Sequence, residues 1–218
     1  MADAIKNSCN GFIYRYSTEA GVSDILITSD HFGLGRKSRL AARNQSSIPN
    51  PEWLKMQGLQ WSPAFTSLVG IGQGAVEISP LQMATIYSTF ANGQFVHEPN
   101  WELTAAPNVI SDFADLPDYK PATFELIHEG LRASVNDPGG TGANANSANF
   151  VIAGQTGTVL TGNPKIPVNA WFCGFAPFEN PTVAVTVFVK DGVSGNATAA
   201  PVAKEVIEFA LKNTPPNS

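Results

Sequence analysis

Apolar positions recur at helical spacing through the first two thirds of the chain and at alternating spacing after it. Residues 2–6 read as the end of one helix and 11–18 as the start of another, followed by a glycine-punctuated turn, His31-Phe32-Gly33-Leu34-Gly35. Residues 41–63 are rich in Asn, Ser, Pro and Gln and read as a surface loop, anchored by the rings of Trp53 and Trp61. The next helix start is sharply marked. Ser79 is a candidate N-cap, Pro80 sits at the first helical position, and Gln82 completes a capping box. Leu81, Ala84, Ile86-Tyr87 and Phe90-Ala91 continue the apolar face, and Asn92-Gly93 ends it. Pro121 opens a further helix with Phe124, Ile127-His128 and Leu131 on its buried side, and Asp137-Pro138-Gly139-Gly140 turns the chain.

The period then drops to two. Residues 151–158 and 170–175 read as strands. Over 181–190, Val183, Val185, Val187 and Val189 share one face, against Thr182, Ala184, Thr186 and Phe188. Short links predict an antiparallel three-stranded meander. Pro201 starts a closing helix whose Val202, Val206, Phe209 and Ala210 form one stripe toward the sheet. The expected class is α+β, with a mostly helical part over 1–148, sheet and C-terminal helix over 149–212, and a disordered tail over 213–218.

Composition narrows the function. Of 218 residues 43% are hydrophobic and 14% charged, enough apolar content for one core. A net charge of −5 leaves no basic footprint, so nucleic acid is not an expected partner. No apolar run is long enough to span a bilayer, and Met1-Ala2-Asp3-Ala4-Ile5-Lys6 lacks the apolar stretch of a signal peptide. Cys9 and Cys173 have no metal-ligand spacing and are expected to be small buried residues, with one long-range disulfide as the alternative. His31, His97 and His128 are not spaced as ligands, so no metal and no cofactor is expected. Asp137 and Glu77 read as turn and surface charges. There is neither a Gly-x-Ser-x-Gly nor a phosphate-binding glycine loop.

Two short motifs carry candidate chemistry, Ser8-Cys9-Asn10 and Gln155-Thr156-Gly157-Thr158. Taken singly, the first fits a helix cap or turn and the second a strand bulge or close packing. Their order with other blocks is more specific. Phe32-Gly33-Leu34-Gly35, Gly70-Ile71-Gly72-Gln73-Gly74, Ile78-Ser79-Pro80-Leu81-Gln82-Met83-Ala84, Pro138-Gly139-Gly140-Thr141, Trp171-Phe172-Cys173-Gly174-Phe175-Ala176-Pro177 and Ala199-Ala200-Pro201 fall between and around them. From residue 8 to about residue 210 this series resembles the transpeptidase domain of class B penicillin-binding proteins, with Gln155 where that family has the lysine of Lys-Thr-Gly.

The resemblance implies a β-lactamase/transpeptidase-like fold, a D,D-transpeptidase activity in cell-wall synthesis, and an extracytoplasmic, membrane-tethered setting. It implies that Ser8 relays a proton and that Asn10 holds the nucleophile's lysine or the substrate amide. Gln155 and Thr156 would face the substrate carboxylate, Gly157 would let an extended peptide lie on the strand edge, and the Thr158 N–H would be one oxyanion-hole donor. The family's nucleophile lies in a Ser-x-x-Lys motif. The residues three before each lysine here are Asp3, Leu34, Glu52, Pro117, Gly162, Val187, Pro201 and Phe209, none of them serine. By the resemblance the first sheet strands and the nucleophile helix lie ahead of Met1. The expected partners are therefore a stem peptide or β-lactam, held weakly, and either a nucleophile-bearing half or a second copy covering the bared apolar faces. Two function classes stand: part of a transpeptidase, inactive alone, or a non-catalytic relative that binds a peptide or a protein.

Overall fold

The computed structural model describes residues 1–36, 40, 46–102, 106–159 and 167–213. In chain order the helices are α1 (Ala2–Lys6), α2 (Asn10–His31), α3 (Pro51–Met56), α4 (Pro63–Gly70), α5 (Pro80–Asn92), α6 (Pro121–Asn136) and α7 (Ala200–Asn213). The strands are β1 (Ser46–Ser47), β2 (Glu77–Ile78), β3 (Phe95–His97), β4 (Val109–Asp112), β5 (Ala153–Val159), β6 (Val168–Ala176) and β7 (Val183–Gly192).

Three helices begin by one device. Asn50-Pro51, Ser62-Pro63 and Ser79-Pro80 each put a capping side chain ahead of a proline at the first helical position. The caps accept from Trp53, Phe65 and Gln82 N–H at 2.8, 3.4 and 3.2 Å. The Ser79 cap is as expected, but Gln82 does not reach back. Its Nε2 donates to the Gly33 carbonyl at 3.5 Å, so it ties α5 to the turn after α2. Gly93 closes α5 in the left-handed region, φ 86°.

The late meander forms as expected, in the order β5-β6-β7 and antiparallel throughout. Its two faces bury different partners. Ala170, Phe172 and Ala176 pack with Ile152, Val135 and α7, while Cys173, Phe175 and Ala153 pack with Ile86 and Tyr87 of α5 and Leu131 of α6. The valines at 183, 185, 187 and 189 join the α7 side, as their alternation indicated. A third cluster, Val96, Phe113 and Phe124, sits under the β3–β4 hairpin.

The second helix begins as expected, runs on to His31 and kinks at Gly21, whose φ of 83° and ψ of 167° are not helical. Several other expectations are corrected. Of the supposed loop 41–63, residues 41–45 lie outside the described residues. The remainder holds β1 and α3, and the buried anchor is Leu54, 1% exposed, rather than the half-buried Trp53 and Trp61. The α7 stripe is on the wrong side: Val202, Val206 and Phe209 are exposed, and Ala200, Ala203 and Ile207 face the sheet. The reason is space. The sheet face already carries Phe172 and four branched valines, so close approach favours alanines on the helix. Asn213 is the last residue of α7, while 214–218 lie outside the described residues. Cys173 is buried as expected, Cys9 is exposed, and both are free thiols.

Candidate functional site

The site is built on a sheet edge. β5 has β6 on one side only, and its other edge borders a polar cavity of about 590 Å3. Ser8, Asn10, Gln73, Thr156, Gly157 and Thr158 line this cavity, together with Thr141, Ser194 and Asn196. Thus the two motifs, 145 residues and more apart in sequence, meet across one groove. A second cavity, about 550 Å3 and mostly apolar, continues from it between the sheet and α5. It is lined by Met83, Tyr87, Trp171, Cys173 and Phe188, and Gln155 stands at its margin.

Ser8 owes its place to the end of α1. The Ser8 N–H donates to the Ile5 carbonyl at 3.0 Å and the Cys9 N–H to the Ala4 carbonyl at 2.8 Å. That is the Schellman pattern, with Ser8 at the first position past the cap. Ends of α2, α3 and α4 show the same pairing with Gly33, Gly58 and Gly72 there, at φ 74°, 75° and 70°. Ser8 alone puts a side chain on this backbone, at φ 49°, which is strained for any residue but glycine. Asn10 then opens α2. Both Ser8 and Asn10 are exposed to the groove. The capping role and the candidate chemical role of Ser8-x-Asn10 thus coincide.

On the strand side, the Thr156 N–H donates to Gln155 Oε1 at 2.9 Å, which places it on the open edge of β5. Residues two apart share an edge, so the Thr158 N–H faces the same way. Thr156 Oγ1 donates to the Thr141 carbonyl at 3.3 Å. Thr158 Oγ1 accepts from the Gly195 N–H at 3.1 Å and so fixes the rim at 194–196. Gln155 itself turns toward the protein. Its Oε1 accepts from Thr141 Oγ1 at 2.9 Å and Ser134 Oγ at 3.2 Å, and its Nε2 donates to the Ile5 carbonyl at 2.5 Å.

Among its described lining residues the polar groove carries no charged side chain. Among the described residues that line the two cavities, Glu77 is the sole charged side chain. Burial pushes the Cys173 thiol up to about 12 and holds the Tyr87 hydroxyl well above its ordinary range, so both are uncharged hydrogen-bonding groups there. No group of His, Cys, Asp and Glu among the described residues is arranged to hold a metal ion. His128 bonds to the Phe90 carbonyl and lies beside Phe175 and Phe178, a packing role. Gln73, Ser194 and Asn196 were missed from sequence. The Gly72-Gln73-Gly74 turn and the Ser194-Gly195-Asn196 link were the available signals, each a glycine-hinged polar step beside a regular element.

A groove shared by Ser-x-Asn and a Thr-Gly-Thr strand edge is the arrangement the resemblance implied, and similarity to known proteins bears on the whole chain. The profile of the penicillin binding protein transpeptidase domain matches residues 1–208. The chain belongs to this transpeptidase family. The family member "Peptidoglycan D,D-transpeptidase MrdA" of Haemophilus influenzae is 29% identical over 236 residues, spanning 98% of this chain and 36% of that protein. The crystal structure of Pseudomonas aeruginosa PBP2 in complex with WCK 5153 matches with a TM-score of 0.84 and 30% identity, over 96% of this chain and 48% of that one. Penicillin-binding protein A from M. tuberculosis, solved as a ceftriaxone acyl-enzyme complex, matches at 0.78 and 25%, over 96% and 48%. The chain therefore spans about a third of that curated transpeptidase and half of each of these solved chains. The transpeptidase-like α+β fold expected from the motifs agrees with these matches.

Proposed function

We propose that this chain forms the strand-and-groove side of a peptidoglycan D,D-transpeptidase site. In this reading it receives an extended stem peptide on the open edge of β5 and does not form an acyl-enzyme with these 218 residues alone. The single observation that carries the reading is the convergence of Ser8, Asn10 and Thr156–Thr158 on one polar groove. Gly157 keeps the strand edge free of a side chain, Thr156 and Thr158 offer donors along it, and Ser8 and Asn10 face them. The absence of Ser-x-x-Lys removes the nucleophile and its lysine from these residues, so covalent chemistry needs a serine supplied by another segment.

A second reading, a peptide-binding pseudoenzyme, is favoured by one observation. Gln155 is neutral and its carboxamide is engaged by Ser134, Thr141 and Ile5, so it brings no positive charge to a substrate carboxylate. Hydrogen bonds to charged groups contribute roughly 1.5–3 kcal/mol when charge-assisted and about 1 when both partners are neutral. Carboxylate recognition here rests on neutral hydroxyls and N–H groups and is correspondingly weak.

The test is a titration of the 15N-labelled chain with a stem peptide ending in D-Ala-D-Ala. Chemical-shift changes confined to Ser8, Asn10 and Thr156–Thr158, with millimolar affinity, are expected. Shifts elsewhere, or none at saturating peptide, sink the groove assignment.

A further inference from the structure

The side chain of Gln155 has the hydrogen-bond inventory of a structural strap. Its oxygen accepts from Thr141 Oγ1, Ser134 Oγ and the Thr156 N–H, and its nitrogen donates to the Ile5 carbonyl. The Ile5 carbonyl is the same one that receives the Ser8 N–H in the turn closing α1. Beside it, the Lys6 carbonyl accepts from the Thr141 N–H at 3.3 Å and shares the single Thr141 hydroxyl proton at 3.1 Å. The last carbonyls of α1, which no helix of five residues can satisfy internally, are thus held from outside by β5 and by the loop after α6. A helix this short has no independent stability, so these ties and its packing decide where it lies. The packing is close: a Cβ at Gly130 of α6 would come within 2.7 Å of Ile5 Cβ.

We propose that Gln155 is a positioning residue. Its carboxamide binds β5 to the C-terminal carbonyls of α1, holds the Ser8–Asn10 turn over the groove, and makes no contact with the ligand. A carboxamide suits this role because it donates and accepts at once. A lysine only donates, and would leave the Ser134 and Thr141 hydroxyls to find other acceptors. The inference rests on Ser8 and Asn10 being groove residues, but its deciding measurement, amide exchange, needs no ligand.

The experiment is amide hydrogen exchange by NMR on the whole chain and three variants. Gln155→Glu keeps the acceptor and loses the donor to Ile5; Gln155→Ala loses both; Gln155→Lys keeps a donor. Protection of the Ser8 and Cys9 amides is expected to fall at least tenfold in Gln155→Glu and Gln155→Ala and to stay within about threefold in Gln155→Lys. Protection at Phe172 and Val187 in β6 and β7 should be unchanged. Acidification of Gln155→Glu, which returns an O–H donor to position 155, should restore protection at Ser8. Should Gln155→Ala not fold, the Glu and Lys variants carry the comparison. Unchanged protection at Ser8 and Cys9 in Gln155→Glu overturns the proposal, and so does a uniform loss across β6 and β7. Loss of stem-peptide shifts at Thr156–Thr158 with Ser8 protection intact would instead make Gln155 a ligand-binding residue.

Discussion

Ser8 shows how one residue serves fold and site together. It takes the left-handed place that Gly33, Gly58 and Gly72 take at three other helix ends, and its side chain lines the groove. Ser8→Gly should therefore stabilise the chain, by about 0.5–1 kcal/mol in denaturant unfolding, while abolishing any hydroxyl contribution to the groove. A loss of stability would mean that the serine hydroxyl holds the turn. That Ser8, Asn10 and Thr156–Thr158 meet at one groove was legible from the sequence, because motif order brings them together. The engagement of Gln155 was not, since its partners Ile5, Ser134 and Thr141 are brought together by three separate elements and no local pattern encodes the meeting. Cys173 allows a pH prediction. Its folded thiol ionises near 12, the unfolded one near 9, so above pH 9 the unfolded state sheds protons that the folded state keeps. Stability should fall as pH rises through this window, with Tyr87 adding to the slope above pH 10. Cys173→Ala should flatten the slope in unfolding midpoints between pH 8.5 and 10.5. An unchanged slope assigns it elsewhere.

At the scale of elements, chain punctuation was the readable part. Ser79-Pro80, Asn92-Gly93, Pro121 and the alternating valines of β7 each state a local rule that the fold obeys. The orientation of α7 failed to follow from its own sequence. Counting apolar bulk selects Val202, Val206 and Phe209, whereas the sheet beneath selects small residues, and Ala200, Ala203 and Ile207 are the ones with no exposed surface. The β1–β2 and β3–β4 pairs were likewise invisible, because two- to four-residue strands carry too few positions for a period. Ile207→Ala should cost about 2–5 kcal/mol as a cavity in the α7–sheet layer, while Phe209→Ala should change stability by less than about 0.5 kcal/mol. Equal effects in thermal or urea unfolding would return the stripe to its sequence-based side.

The whole molecule puts an apolar cavity of about 550 Å3 between α5 and the sheet, open beside the polar groove. Its lining includes Met83, Trp171 and Phe188, large side chains of the kind that drive association when bare. Sedimentation velocity is expected to show a concentration-dependent mass over the micromolar range, which Phe188→Asp weakens; a monomer throughout would show that the cavity tolerates water. Family and architecture were legible at this scale because eight blocks stand in one order, and the match over residues 1–208 agrees. What the order of blocks does not convey is the lack of a cation among the described residues that line the two cavities, where Glu77 is the sole charge. The most direct test of the central reading is the intact mass of the chain after incubation with a reactive β-lactam. The unmodified mass is expected, because the 218 residues contain no Ser-x-x-Lys. A single covalent adduct on a serine, lost when that serine is replaced by alanine, would contradict it.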